Sequence, residues 1–165
     1  MGKQIALDGS LVSVNPKRKQ ALYSSMKDYW NTPKSLYNEL DRRFSFDYDP
    51  CPSNPTFDGL NIEWGERNFV NPPFSNWQEW VKKGFREAEK GKLVVFLLPA
   101  RTDTKVFHEL IIPHAQEIRF IKGRVKFGPL AKQRAPFPSM IVVFNGIDSE
   151  TDSIIEIQKE LGETE

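Results

Sequence analysis

A chain of 165 residues with 39% apolar side chains suffices for one domain around one core and excludes the low-hydrophobicity regime of disordered chains. No apolar run approaches a membrane span and no basic-then-apolar leader opens it, so a soluble, cytoplasmic protein and a monomer are expected. One cysteine, Cys51, and two histidines, His108 and His114, exclude an internal disulfide and a zinc cluster of familiar spacing, so no metal is expected.

The net charge of +1 is unevenly spread, because Asp148 to Glu165 is acidic with Lys159 as its one cation. The basic surplus gathers at Lys17-Arg18-Lys19 and at Arg119, Lys122, Arg124, Lys126, Lys132 and Arg134. Such a patch suits phosphate contacts that weaken with salt, and a solvated surface is the simple alternative.

Met1 to about Tyr23 has no sustained periodicity and contains Gly9 and Asn15-Pro16. It reads as a loosely ordered arm over 1–23, ahead of a domain over 24–147 and an acidic helix or tail over 148–165. Thr32-Pro33 then forms a helix start, with Leu36, Tyr37, Leu40 and Phe44 at helical spacing and an expected end near Arg43. Phe44, Phe46 and Tyr48 alternate with Ser45, Asp47 and Asp49, the period of a strand that Asp49-Pro50-Cys51-Pro52 ends abruptly. In an open parallel sheet ligands bind at the C-terminal edge, where an acid suits ribose hydroxyls. A turn stabilised by aspartate is the competing reading. Between Asp47 and Asp58 the chain is too short for a full strand-helix-strand unit, so a trimmed sheet is expected.

Asn68-Phe69-Val70 leads into Asn71-Pro72-Pro73-Phe74. The two prolines restrict their own φ and the residue before each, holding a polar amide and an aromatic ring where they suit a flat, amino-bearing heterocycle. A proline-rich turn without function is the alternative. Ser75 and Gln78 have capping-box spacing, and Trp77, Trp80, Val81, Phe85 and Ala88 share one helical face up to Gly91. Leu93 to Leu98 is the uninterrupted apolar run of a strand buried on both faces. Polar Pro99 to Thr104 follows, then Val106, Phe107, Leu110 and Ile111 at helical spacing, which makes His108 structural. Glu117–Ile121 and Met140–Phe144 read as strands, Gly123–Phe127 alternates basic with apolar, and Gly128–Pro138 reads as a loop. Ile154, Ile155, Ile157 and Leu161 allow a short final helix. Buried strands alternating with amphipathic helices argue for a three-layer α/β sheet.

Seven blocks in order carry a family resemblance: Trp30-Asn31-Thr32-Pro33; Phe46-Asp47; Asp58-Gly59-Leu60 with Trp64; Asn71-Pro72-Pro73-Phe74; Leu98 to Thr104; Gly123 to Phe127; and Ala135-Pro136-Phe137-Pro138-Ser139. Together they resemble the phage-type DNA N6-adenine methyltransferases (Dam family). The resemblance implies a Rossmann-like methyltransferase fold, here trimmed and with a mostly parallel sheet. It also implies S-adenosyl-L-methionine as cofactor, adenine in DNA as acceptor, and a phage or restriction-modification context. Carried over residue by residue, Asn71, Pro72, Pro73 and Phe74 form the catalytic loop. Asn71 Oδ1 and the Pro72 carbonyl would accept the two hydrogens of a flipped-out adenine N6 amino group, and Phe74 would stack on the base. Asp47, Asp58, Thr32, Pro33, Cys51 and Leu60 would line the donor pocket, although Asp49-Pro50-Cys51-Pro52-Ser53 stands where many methyltransferases have a glycine-rich turn. Arg101, Arg124, Lys126, Lys132 and Arg134 would contact DNA, while Asp103 also suits a helix cap. The same chemistry on a protein glutamine amide or an RNA exocyclic amine, and an inactive DNA-binding protein, are the alternatives.

Overall fold

The structure, a computed structural model, describes residues 31–53, 55–127 and 135–146, and the backbone of Lys3–Ile5, Leu11–Ser13 and Gln133–Arg134. Its elements in order are strands β1 (Lys3–Ile5) and β2 (Leu11–Ser13), helix α1 (Lys34–Phe44), β3 (Arg67–Val70), α2 (Trp77–Ala88) and β4 (Leu93–Pro99). A π-helical segment, Phe107–Ile111, runs into the short helix α3 (Ile112–His114), followed by β5 (Glu117–Phe120), β6 (Lys126–Phe127), β7 (Gln133–Arg134) and β8 (Ser139–Asn145). The final helix expected on the acidic tail and the basic triplet Lys17-Arg18-Lys19 lie outside the described residues.

One four-stranded sheet has the order β3-β4-β8-β5. β3 runs parallel to β4, from Arg67 opposite Leu93 to Val70 opposite Phe96. β8 pairs antiparallel with β4 along its whole length and antiparallel with β5 on its other side. The sheet is therefore not mostly parallel, contrary to the expectation. Parallel neighbours need a crossover such as α2 between β3 and β4, whereas the chain leaving β5 needs no crossover and returns through β6 and β7 to enter β8 antiparallel. Two short antiparallel ladders stand apart, β1 with β2 and β6 with β7, so the stretch expected as a loop over 128–138 contains a strand.

Both faces of β4 are buried, as its apolar run requires. Val94, Phe96 and Leu98 join Met140, Val142 and Phe144 against Trp77, Trp80, Val81 and Ala88 of α2 and against Phe107 and Ile111. Leu93, Val95 and Leu97 join Ile141 and Val143 against Leu40 and Phe44 of α1 and against Val125, Phe127 and Ala135. Three layers result. At Gly84 a Cβ would lie 2.4 Å from Phe96 Cζ, so a hydrogen at this position lets α2 sit close on β4.

Two local expectations fail for identifiable reasons. Phe44 belongs to the last turn of α1 rather than to a strand: Ser45 takes a left-handed conformation, its N–H donates to Asp41 O, and Phe46 N–H donates to Asp41 Oδ1. The following segment meets β3 only at a parallel bridge between Tyr48 and Asn68. There Asp47 and Tyr48 both donate to the carbonyl of Arg67, at 2.9 and 3.3 Å, and this bulge-like slip sends Phe46 and Tyr48 to opposite cores. The capping box at Ser75 and Gln78 does not form either. Asn76 N–H closes a turn on Pro73 O, which delays the start of α2 to Trp77 with Asn76 as an N-cap that makes no side-chain bond.

At the end of the sheet where β4 begins, Glu87 of α2 is wholly buried and bonded to three lysines. Lys83, Lys92 and Lys90 approach its carboxylate at 2.6, 2.8 and 3.0 Å, and Lys92 also donates to Trp64 O at 2.7 Å. The carboxylate loses hydration by burial, but these bonds outweigh that loss and hold its pKa well down, at about 2.

Candidate active site

The register brings the polar segments to one edge. The bridge at Tyr48 and strands β3, β4 and β5 all point the same way. Their C-terminal ends therefore release Asp49–Ser53, Asn71–Phe74, Ala100–Thr104 and Ile121–Phe127 at a common edge, where Ala135–Pro138 also enters β8. Direct contacts confirm the gathering: Ala100 N–H donates to Pro138 O at 2.8 Å, and the Phe74 and Phe137 rings meet edge-on at 4.4 Å. The Glu87 cluster lies at the opposite edge.

Two clefts open here. The first, about 180 Å³, is lined by Asn31, Thr32, Lys34 and Tyr37 from the start of α1, by Asp49, Cys51 and Ser53, and by Phe69 and Asn71 from β3 and its end. The second, about 250 Å³, lies between Pro50, Cys51, Pro55, Phe57, Asp58, Gly59 and Trp80. Cys51 lines both, so the two hollows flank one turn.

The acids divide differently from the expectation. Asp47 lines neither cleft; its carboxylate accepts the Arg67 N–H at 3.0 Å and packs where a Cβ on Gly65 would fall. Asp49 is the strand-end acid in the first cleft, and it accepts the Cys51 N–H at 2.8 Å. Its surface reaches water, yet protein surrounds it on most sides, and this burial pushes its pKa up despite the Cys51 bond. Regular alternation through Phe46 and Tyr48 does not reveal the slip that turns Asp49 towards the first cleft. Asp58 lines the second cleft while accepting the Leu60 N–H, and Leu60 packs against the core. Burial, reinforced by Asp49, pushes the Cys51 thiol up to about 12, so it stays protonated and is no nucleophile.

Asn71 ends β3 on the wall of the first cleft, and its Nδ2 donates to Thr32 Oγ1 at 3.0 Å. Pro72 and Pro73 behind it are buried and Pro33 caps α1, so the two partners come from fixed pieces of backbone. Phe74 is half-buried in an edge-to-face trio with Phe137 and Phe127. Phe127 and Phe137 are not among the expected site residues; the signal for them in the sequence is that each lies in one of the blocks that carry the family resemblance, Gly123 to Phe127 and Ala135 to Ser139.

Arg101 is exposed and paired with Asp103 at 3.2 Å, which holds the Asp103 carboxyl below and the Arg101 guanidinium above their usual ranges. Asp103 is thus engaged with Arg101, while Thr104 Oγ1 accepts the Phe107 N–H and takes the capping role. His108 Nε2 donates to Thr102 O, a structural tie. Arg124 and Lys126 are exposed beside buried Val125 and Phe127, and Lys126 stands opposite Arg134 in the β6–β7 ladder. Lys132 lies outside the described residues. Among the described residues no group of three or more His, Cys, Asp or Glu side chains could hold a metal ion, and no helix is long and apolar enough to cross a membrane.

The fold and its edge define a three-layer α/β domain with two partly polar clefts beside its strand ends. A family model described as DNA N-6-adenine-methyltransferase (Dam) matches residues 19–163, and the chain belongs to that family. It is 29% identical over 98 residues to the DNA N-6-adenine-methyltransferase of Escherichia phage T1, covering 52% of this chain and 41% of that protein. The chain thus spans well under half the length of the curated relative it matches. No solved structure matches it significantly.

Proposed function

We propose that this chain transfers a methyl group from S-adenosyl-L-methionine to N6 of an adenine flipped out of DNA, with Asn71-Pro72-Pro73-Phe74 gripping the amino group. The observation that carries this reading is that Asn71, at the end of β3, shares one cleft with a partly desolvated carboxylate, Asp49. An acceptor grip and a polar donor site adjoin, as a transfer between two bound molecules requires.

The residues present fit the donor. Two hollows joined at Cys51 suit a molecule with an amino-acid end and a nucleoside end. Burial raises the pKa of Asp49, so a cation or hydroxyl donor seated against that carboxylate would lower the cost of its charge. Lys34 suits a carboxylate in the first hollow, while Asp58 suits hydroxyl or amino groups in the second, against Trp80 and Phe57. When bound, the donor supplies an electrophilic methyl group on a sulfonium.

The protein's own work is alignment. Asn71 Oδ1 and the Pro72 carbonyl accept the two amino hydrogens and favour a nitrogen lone pair directed at the methyl group, without a strong base. A duplex shields N6, so the base has to leave the stack, and an aromatic face offsets part of the lost stacking. Here Phe74 is held by Phe137 and Phe127, which makes it a fixed platform. Exposed Arg124 and Lys126 favour a polyanionic substrate over a peptide amide. Parallel β3 and β4 joined through α2, with ligand loops at their C-terminal ends, support a trimmed Rossmann-like sheet with one strand reversed.

The test is to incubate the protein with methyl-labelled S-adenosyl-L-methionine and unmethylated DNA, digest the DNA, and identify the labelled nucleoside. Label in N6-methyladenine is the expected result; label confined to protein or RNA overturns the proposal.

A further inference from the structure

We propose that Asp103 competes with DNA phosphate for Arg101 and so limits how tightly this edge of the protein holds DNA. The inference rests on the reading of DNA as the polyanionic substrate. A guanidinium presents parallel N–H groups in a fixed fork, and carboxylates and phosphates alike accept two of them side by side. An arginine whose fork is filled by a carboxylate offers a phosphate fewer donors and less charge than a free one.

Arg101 is in that condition in the protein without DNA. Its Nε and Nη2 donate to the two carboxylate oxygens of Asp103, at 3.2 and 3.3 Å. The two side chains are 56% and 68% exposed, so a phosphate can reach the guanidinium from solvent. The pair also stands at the edge where the catalytic loop lies. Arg101 follows Ala100, whose N–H donates to Pro138 O, and neighbouring Phe137 carries the ring that meets Phe74. A cation at this place flanks the position proposed for the flipped adenine.

The loop keeps the two partners in register. The Arg101 N–H donates to Pro99 O at 2.8 Å, its carbonyl accepts Thr104 Oγ1 at 2.9 Å, and His108 Nε2 donates to Thr102 O at 2.7 Å. With the backbone tied on both sides of Asp103, the pair forms at the expense of side-chain freedom alone. An exposed pair of this kind is weak, which suits a competitor. The carboxylate fills the fork in the free protein and yields it to a phosphate that other cations on the same edge help to hold. Lower affinity in turn favours release of the methylated DNA.

An acid on this edge repels DNA whatever it touches, so competition has to be separated from plain repulsion. Competition acts through Arg101 and repulsion does not, and a double-mutant cycle reads the difference.

The experiment uses the full chain and a fluorescent, unmethylated DNA duplex. Its Kd is measured across a range of salt for wild type, Asp103→Asn, Arg101→Gln and the double variant. Glu109→Gln, which removes an exposed acid from the following segment, is the control for repulsion. Asp103→Asn is expected to lower the DNA Kd about two- to fivefold, the range open to an exposed pair. It should also steepen the log–log salt dependence by up to about one unit, because the released guanidinium neutralises one more phosphate. In the Arg101→Gln background the same substitution should change Kd no more than Glu109→Gln does. Asp103→Glu, which restores a carboxylate, should bring Kd back to within about twofold of wild type. Asp103→Ala removes the acceptor as well and should gain at least as much as Asp103→Asn, with its urea midpoint reporting whether the loop still folds. Donor Kd should stay unchanged throughout. Unchanged or weaker DNA binding by Asp103→Asn, an equal gain without Arg101, or an equal gain in Glu109→Gln overturns the proposal. A wild-type protein that binds the duplex but forms no N6-methyladenine defeats the methyltransferase reading instead, and the cycle, which reads binding alone, still decides the role of Asp103. Absence of binding by wild type overturns both.

Discussion

Replacing Glu87 by glutamine removes the charge that three lysines share at the edge of the sheet opposite the clefts. In the folded protein this carboxyl titrates at about 2 instead of 4.5, and the shift corresponds to about 3 kcal/mol of stability at neutral pH. Lys90 is half exposed and Lys83 reaches in from the surface, so screening reduces the useful part to about 2 kcal/mol. The lysines left behind add to the loss, chiefly Lys92, which is only 7% exposed and keeps Glu63 and the Trp64 carbonyl as partners. Glu87→Gln should therefore destabilise the protein by about 2–4 kcal/mol at pH 7, read from urea unfolding curves. The folded pKa is depressed, so the stabilisation is present above about pH 4.5 and is lost as pH falls towards 2. The gap between wild type and variant should shrink by about 1 kcal/mol between pH 7 and pH 3.5. A gap of less than about 0.5 kcal/mol at pH 7, or one that does not change on acidification, refutes the reasoning.

Other expectations bear on the site. Asp49 has the opposite sign: burial raises its pKa, so its charge destabilises the fold at pH 7. Asp49→Asn, which retains the acceptor for Cys51 N–H, should raise Tm at pH 7 but not below the ordinary carboxylate range, while weakening donor binding. A Tm that falls at pH 7 contradicts this. Phe137→Ala removes the nearest ring from Phe74 and should lower methyl transfer several-fold, with a smaller effect on donor Kd; an unchanged rate would separate the aromatic trio from catalysis. Replacing Arg124 and Lys126 by glutamate should weaken DNA binding and flatten its dependence on salt by about one unit of log–log slope per lost phosphate contact. An unchanged slope would remove β6 from the DNA interface.

What could be read in advance follows from how local each feature is. Leu93–Leu98 declared itself a doubly buried strand because burial on both faces leaves no polar position, and the amphipathic face of α2 was as plain. Asn71 could be placed at a strand end because Val70 and the two prolines bracket it. The reversal of β8 could not, since Ser139–Asn145 is apolar enough for a central strand of either direction and only its pairing with β4 and β5 decides. Asp49, and not Asp47, lines the first cleft because a one-residue slip against Arg67 turns every later side chain to the other face. The Thr32–Asn71 bond and the Phe74–Phe137 contact join segments distant in the chain, and no periodicity encodes them.

The central claim is that Asn71 at the end of β3 holds the amino group that receives the methyl. It is tested most directly by single-turnover transfer to unmethylated DNA, comparing wild type with Asn71→Ala and measuring donor affinity in the same preparations. The account predicts that formation of N6-methyladenine falls by about 10²–10³-fold or more while donor Kd changes little. Transfer by Asn71→Ala at a rate near wild type would contradict it.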